Sequence, residues 1–182
     1  MTFTPLGIPG VWLVEPDFRV DSRGFFGRLF CAETFAARGL PSVWPQMNNA
    51  LTRQKHTLRG LHIQVAPHGE DKLVRCVRGA LWDVVVDLRR ESPSYGQWQA
   101  AELSAENRRM MLLPKGVAHG FITLEPDTEA VYLVSAPYAP EAERTLLWSD
   151  PTVAIPWPAT PALVSDKDLA GQRLEQIGSC GY

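Results

Sequence analysis

The sequence predicts a mainly β protein, either an antiparallel β-sandwich or a jelly roll, with a short helix in the N-terminal half and a C-terminal helix. Short segments rich in aromatic and β-branched residues recur along the chain, and Gly, Pro, Asn or Asp residues bound them. Helical periodicity is scarce, which is typical of sheets packed face to face. The 182 residues suffice for one domain with a sizeable core.

Ten segments have the character of strands, and the pair that meets at Gly79 gives the best hairpin signal. After this turn Trp82, Val84 and Val86 alternate with residues that include Asp83, so one face is apolar and the other is mixed. The predicted strands are residues 11–14, 24–31, 57–64, 72–77, 80–88, 97–103, 110–113, 120–124, 130–136 and 144–148.

Two segments are predicted to be helical. Residues 32–38 form a short helix that ends at Gly39, and residues 165–177 form a C-terminal helix with Ser165 as its N-cap. The proline-rich segment 151–161 is expected to be an extended surface connection.

Composition excludes several classes of function. The net charge is -2, so no overall positive field draws the chain to nucleic acid or to an anionic membrane. The N-terminal residues lack the pattern of a signal peptide, and no apolar run is long enough to span a bilayer. Cys31, Cys76 and Cys180 form no CxxC pair, which favours a reducing cytoplasm over a disulfide framework.

Two histidines, His62 and His119, stand beside glycines within predicted strands. Taken alone, either would more often be a structural residue than a functional one. Alternation places His62 and Gln64 on one face of their strand, and a polar face inside a barrel-like fold usually lines a cavity. With Lys72, Asp83 and nearby arginines, these histidines suit an anionic ligand that carries a carbonyl group.

A metal site is the first alternative for these histidines. Many barrels of this kind bind metal through a His-x-His pair, a Glu and a later His, but Gln64 occupies the position of the second His. Two imidazoles without a clear carboxylate partner make a poor site. The pattern favours histidine as a base, and a metal-dependent oxygenase is kept as an alternative.

Motifs spread over roughly residues 5 to 170 resemble the dTDP-4-dehydrorhamnose 3,5-epimerases, and so many motifs in the right order are a specific signal. They are DSRGFF at 21–26, QMN at 46–48, LRGLHIQ at 58–64, KLVR at 72–75, DVVVD at 83–87, SPSYGQW at 92–98, PKGVAHGF at 114–121, WSD at 148–150, WP at 157–158 and KD at 167–168.

The resemblance implies a cupin-type jelly roll that forms a homodimer and uses neither metal nor cofactor. It implies one domain over residues 1–182, with a core of about 5–160 and a C-terminal segment, 161–182, that contributes Asp168. His62 matches the general base, Asp168 its acidic partner, Tyr132 the general acid and Lys72 the lysine near the ketone. Asp83, on the mixed face of its strand, is expected to lie behind these residues.

The resemblance also implies a set of residues that bind the nucleotide diphosphate-sugar. They are Arg23, Arg28, Gln46, Asn48, Arg59, His119, Tyr138, Glu143 and Lys167. Arg28 departs from the family, which commonly has an acidic residue there, so a cytidine or guanosine carrier is an alternative to thymidine. Two further alternatives are an epimerase that inverts only C3 or C5 and a non-catalytic sugar-binding cupin.

Overall fold

The structure is a computed structural model, and it describes residues 1–178 and 180–182. Short strands dominate it, in agreement with the predicted mainly β fold. The strands are β1 (Thr2–Pro5), β2 (Trp12–Glu15), β3 (Phe18–Asp21), β4 (Gly24–Gly27), β5 (Gln46–Thr52), β6 (Thr57–Gln64), β7 (Lys72–Arg78), β8 (Ala80–Asp87), β9 (Trp98–Ser104), β10 (Met110–Leu113), β11 (Val117–Thr123), β12 (Thr128–Val134), β13 (Glu143–Thr145) and β14 (Leu163–Val164).

Two large sheets pack face to face. The first sheet has the order β1-β2-β10-β7-β12-β5, and the second has the order β13-β6-β11-β8-β9 with β14 attached to β6. Neighbours within both sheets run antiparallel, except that β14 runs parallel to β6. From β5 to β13 the chain crosses from one sheet to the other after every strand except β8, as in a jelly roll.

The main core lies between the inner faces of the two sheets. Val74 and Met111 of the first sheet meet Leu81, Val85 and Phe121 of the second sheet there. A second apolar layer covers the outer face of the second sheet, where Val84 and Val86 pack against the C-terminal part of the chain. The mixed face predicted for β8 is therefore the inner one, and it carries Asp83 toward the interior.

The hairpin of β3 and β4 stands apart as its own two-stranded sheet. Two of its apolar residues are largely exposed to solvent, Val20 at 79% and Phe26 at 73%. Apolar side chains of this size normally pack against something, so the hairpin is a candidate contact surface.

All ten predicted strand segments contain strand, but four strands were not predicted. Of these, β5 (Gln46–Thr52) is the most consequential, and its polar sequence gave no strand signal. The prediction of one strand over 24–31 was wrong at its C-terminal end, because β4 stops at Gly27 and Cys31 is instead the residue just before the helix α1 (Ala32–Ala36).

The C-terminal helix is much shorter than the predicted 165–177. The helix α2 covers Asp166–Leu169, and Ser165 caps it as predicted by accepting a hydrogen bond from the Asp168 N–H. At Gly171 a Cβ would lie 2.9 Å from Leu147, so the chain leaves the helix where it packs closely on its neighbour. The segment 151–161 is also less superficial than expected, since Val153 is buried.

Candidate active site

Two adjoining cavities, of about 560 and 290 Å³, lie between the inner faces of the two sheets. His62, Lys72 and Tyr132 line both cavities. His62 belongs to β6 of the second sheet, whereas Lys72 and Tyr132 belong to β7 and β12 of the first sheet. The shared space is thus bounded by an imidazole on one wall and by a phenol and an ammonium group on the other.

His62 is held by a buried carboxylate. Its Nε2 lies 2.6 Å from Oδ1 of Asp168, and Oδ2 of Asp168 accepts a hydrogen bond from the Gly60 N–H at 3.2 Å. Burial acts to raise the pKa of Asp168, but the hydrogen bond and charge of His62, together with the Gly60 N–H, bring it below its usual value. The ionised Asp168 accepts a hydrogen bond from the Nε2–H of His62, which leaves Nδ1 unprotonated and free to act as a base.

Two glycines allow the strands that carry the histidines to approach closely. His62 of β6 lies opposite His119 of β11, and the register shifts between His119 and Phe121. A Cβ on Gly60 would be 2.6 Å from the Cα of Gly120, and one on Gly120 would be 2.6 Å from the Arg59 carbonyl oxygen. Glycine at both positions is therefore a packing requirement of the site.

His119 has its own buried carboxylate. Nε2 of His119 lies 2.7 Å from Oδ1 of Asp83, whose side chain is fully buried. Oδ2 of Asp83 has no hydrogen-bond partner among the described residues. His119 also lines the larger cavity, so Asp83 lies behind a residue of the cavity wall.

Tyr132 and Lys72 are neighbours on the inner face of the first sheet. Tyr132 lies opposite Val74, and Lys72 lies opposite Val134, so the two side chains are diagonal across the β7–β12 pair. Burial raises the pKa of the Tyr132 phenol, the charges of Glu70 and Glu143 act in the same direction, and Arg59 opposes them. The phenol therefore stays protonated at neutral pH.

Glu70 is a site residue that the sequence did not reveal. Its Oε1 lies 3.0 Å from Nζ of Lys72, and both side chains are nearly buried. It lines the smaller cavity with Lys72 and Tyr132. It was missed because it precedes β7 in a polar, turn-like segment; its spacing of two residues before Lys72 was the only available signal.

A polar cluster closes one end of the smaller cavity. Glu143 accepts a hydrogen bond from the Tyr138 hydroxyl at 3.0 Å and pairs with Lys167 at 2.6 Å, and Oε1 of Gln46 accepts one from the Tyr138 N–H. Burial opposes ionisation of Glu143, but these bonds with Lys167 and Tyr138 lower its pKa overall. Asn48, opposite Tyr132 on β5, lines the same cavity.

Arg59 is held at the edge of the larger cavity by β5. Its Nε donates to Oγ1 of Thr52 at 3.0 Å, and a terminal nitrogen approaches the Leu51 carbonyl oxygen. No acidic residue is paired with Arg59 in the described part of the chain, so its charge is available to an anion.

Two predicted binding residues lie elsewhere. Arg23, whose side chain is 88% exposed, pairs with Asp21 on the isolated hairpin, and Arg28 lines a separate cavity beside Cys31. Neither arginine lines the two central cavities, and β3 and β4 form a separate sheet that is not hydrogen-bonded to either large sheet.

Gln64 has a structural role at the position where a second metal-binding histidine might have stood. Its Oε1 accepts from the Ala139 N–H at 2.6 Å, and its Nε2 donates to the Pro137 and His68 carbonyl oxygens. Among residues 1–178 and 180–182, no group of three or more His, Cys, Asp or Glu side chains is arranged to hold a metal ion. Within the same residues, no helix is both long and apolar enough to cross a membrane.

Comparison with known proteins identifies close relatives. A family model described as dTDP-4-dehydrorhamnose 3,5-epimerase matches residues 5–176. The dTDP-4-dehydrorhamnose 3,5-epimerase of Sinorhizobium fredii is 46% identical over 178 residues, which cover 97% of this chain and 91% of that protein.

Solved structures have the same fold. The epimerase RmlC of Legionella pneumophila, in complex with dTDP-4-keto-L-rhamnose, gives a TM-score of 0.91 at 36% identity and covers 97% of this chain and 94% of its own. ChmJ, a 3'-monoepimerase from Streptomyces bikiniensis in complex with dTDP-quinovose, gives 0.87 at 38% identity and covers 94% and 87%. The jelly-roll architecture is thus shared with epimerases whose structures hold nucleotide-linked deoxy sugars.

Proposed function

Because this chain belongs to the dTDP-4-dehydrorhamnose 3,5-epimerase family, we propose that it converts dTDP-4-dehydro-6-deoxy-D-glucose into dTDP-4-dehydro-L-rhamnose. It is an isomerase that inverts C3 and C5 on either side of the C4 ketone. The observation that carries the mechanism is the placement of His62 and Tyr132 on opposed sheets around one shared cavity.

His62 is the general base. Nδ1 removes the proton from C3 or C5, and the electron pair of the broken C–H bond passes into an enolate at C4. The ionised Asp168 beside Nε2 stabilises the imidazolium that forms. A positioned acid or base of this kind typically contributes about 10²–10⁴-fold to the rate.

Tyr132 is the general acid. Its hydroxyl gives a proton to the carbon from the opposite face, which inverts the centre and restores the ketone. Exchange with solvent then returns a proton to the phenolate and removes one from His62, so no net proton is consumed. The raised pKa of Tyr132 keeps this proton in place at neutral pH.

Lys72 and His119 stabilise the enolate oxygen. Both line the larger cavity, and Lys72 is nearly buried, where a fixed positive charge acts more strongly than in water. Loss of one such donor typically costs about 2.7–4 kcal/mol in the transition state.

Remote contacts hold the nucleotide diphosphate. Arg59 and Lys167 supply positive charge at the larger cavity, and Gln46, Asn48, Tyr138 and Glu143 line the polar end of the smaller one. Binding energy from these groups keeps the sugar ring between base and acid.

Arg23 and Arg28 fit this scheme in a homodimer. The exposed Val20 and Phe26 of the hairpin, and the exposed Met47 on the edge strand β5, form apolar surface that a second copy can cover. We propose that the two arginines bind the substrate in the cavity of the partner protomer.

A cytoplasmic location is proposed from the three free cysteines, of which two are buried.

Incubation of the enzyme with dTDP-4-dehydro-6-deoxy-D-glucose in deuterated water tests the reaction. We expect deuterium at both C3 and C5 of the product by NMR, and loss of both labels in His62→Ala. His68→Ala is the matched control, because His68 is an exposed histidine outside the proposed acid-base set.

The similarity to a 3'-monoepimerase makes single inversion the second candidate. Label at C3 alone would establish it, and label at neither carbon would contradict both candidates. Parallel incubations with cytidine- and guanosine-linked 4-keto sugars test the alternative carriers that Arg28 suggested.

A further inference from the structure

We propose that Glu70 is a positioning residue of this enzyme, acting through Lys72. The proposal rests on the role of Lys72 beside the C4 oxygen given above. Glu70 precedes β7 and places Oε1 3.0 Å from Nζ of Lys72, with only 11% of the Glu70 side chain and 10% of the Lys72 side chain exposed. A lysine has a flexible four-carbon stem, so its ammonium group needs a fixed acceptor to stay at one place.

The backbone on the C-terminal side of Glu70 is firmly anchored. The Asp71 N–H donates to Oγ of Ser135, the Ser135 hydroxyl donates to Oδ2 of Asp71, and the Lys115 N–H donates to Oδ1. The Ser135 N–H also donates to the Asp71 carbonyl oxygen. These bonds tie the residue after Glu70 to the ends of β12 and β10.

The preceding residue is anchored as well. The Gly69 N–H donates to the hydroxyl of Tyr182 at 2.7 Å, and a Cβ at Gly69 would lie 2.1 Å from that oxygen. With both neighbours fixed, the Glu70 carboxylate is presented to the cavity by a preorganised turn. Such preorganisation is what a positioning residue requires.

The pairing leaves Lys72 able to act on a ligand. An ammonium group has three N–H donors, and one bond to Glu70 leaves two for an oxygen in the cavity. The negative charge of Glu70 also supports the protonated form of the neighbouring Tyr132. Glu70 thus acts on catalysis mainly by fixing Lys72, while Lys72 and Tyr132 touch the substrate.

Three variants test the proposal. In Glu70→Ala we expect kcat to fall about 10- to 100-fold with little change in KM, because Lys72 loses its fixed position. Glu70→Gln keeps an acceptor oxygen for Lys72, so it should restore kcat to within about threefold of wild type. Glu106→Ala is the control, since Glu106 is an exposed glutamate on the turn after β9.

The Lys72→Met background separates this proposal from the proposed reaction. If Glu70 acts through Lys72, Glu70→Ala should cause no further loss of kcat in that background. An equal loss with and without Lys72, or wild-type kcat in a folded Glu70→Ala, would overturn the proposal. Failure of the wild-type enzyme to turn over the substrate would instead contradict the proposed function, and thermal unfolding of each variant confirms that it is folded.

Discussion

At the level of single residues, the two histidines of the cavity differ in the carboxylates that hold them. Asp168 binds His62 with one oxygen and the Gly60 N–H with the other, so its ionised form is well satisfied. Asp83 binds only His119, and its second oxygen is buried without a partner in the described residues. Asp168 therefore holds His62 with both of its oxygens engaged, whereas Asp83 holds His119 through a single contact.

Asp168→Asn should lower kcat by about 10²–10⁴-fold with little change in KM, because a neutral amide cannot stabilise the imidazolium of His62. Steady-state kinetics on the nucleotide sugar measures both constants. The matched control is Asp166→Asn, an exposed acidic residue two positions earlier in α2, which should leave both constants unchanged. Equal loss in both variants would point to damage to the helix rather than to His62.

Tyr132→Phe should separate removal of the proton from inversion. With His62 intact, the C–H proton still exchanges with deuterated solvent, but its return comes from the same face and the configuration is retained. We therefore expect deuterium in recovered substrate and a loss of about 10²–10⁴-fold in product formation. Unaltered product formation, followed by NMR, would exclude Tyr132 as the acid.

At the level of elements, the segment after β8 depends on one buried carboxylate. Asp87, which has no exposed side-chain surface, accepts hydrogen bonds from Arg89, Ser92 and Ser94. Burial acts to raise the pKa of Asp87, but the bonds from Arg89 and the two serines lower it overall. This network holds the 88–97 connection against β8, the strand that also carries Asp83.

Asp87→Asn should lower the free energy of unfolding by about 2 kcal/mol at pH 7, because it removes the acceptor charge that Arg89 requires. The folded-state pKa lies below the unfolded value of about 3.9, so this contribution is present above about pH 4. It disappears as the pH falls through the folded-state pKa. Urea unfolding should thus show a gap between wild type and variant that narrows in acid.

Asp127→Asn is the control for that measurement. Asp127 also faces an arginine, Arg53, but at 3.5 Å and with both side chains well exposed, so its removal should change stability by under about 1 kcal/mol. A comparable loss in both variants would mean that burial of the Asp87 network contributes nothing.

At the level of the whole molecule, Phe26→Glu should convert the proposed dimer into a monomer. Phe26 is 73% exposed on the isolated hairpin, and a charge there opposes burial against a second copy. Analytical ultracentrifugation measures the change, and KM should rise because Arg23 and Arg28 no longer reach a partner. Leu169→Glu, at a residue 54% exposed on α2, should remain dimeric.

A wild-type protein that sediments as a monomer would contradict the proposed dimer. The two hairpin arginines would then need another role, since neither reaches the central cavities of its own chain.

Much of this architecture could be predicted from local sequence, because alternation and glycine punctuation are local signals. The strand that carries His62 was predicted with its observed limits, Thr57–Gln64. β5 was missed because its stabilisation comes from pairing with β12 and not from its own polar residues. The C-terminal helix was overpredicted for the opposite reason, since close packing at Gly171 overrides its helical pattern.

The same distinction between local signals and tertiary contacts applies to the residues of the site. Among the motif residues on strands, His62 was predicted from alternation and from family resemblance, and Tyr132 was predicted from resemblance alone. Glu70 could not, because only the folded turn brings it to Lys72. Arg23 and Arg28 were assigned to the site by resemblance, but in the single chain neither lines the two central cavities.

His62 and Tyr132 are built on different sheets, and this arrangement ties stereochemistry to the hydrophobic interior. The distance between His62 and Tyr132, across which the sugar must fit, depends on the separation of the two sheets. Apolar residues such as Leu81 and Met111, packed between the sheets, maintain that separation. A methylene removed from this interior would let the walls relax without altering any group that touches the substrate. The proportion of enolate that is protonated on the opposite face, and so inverted, is therefore expected to depend on how closely the side chains between the two sheets are packed.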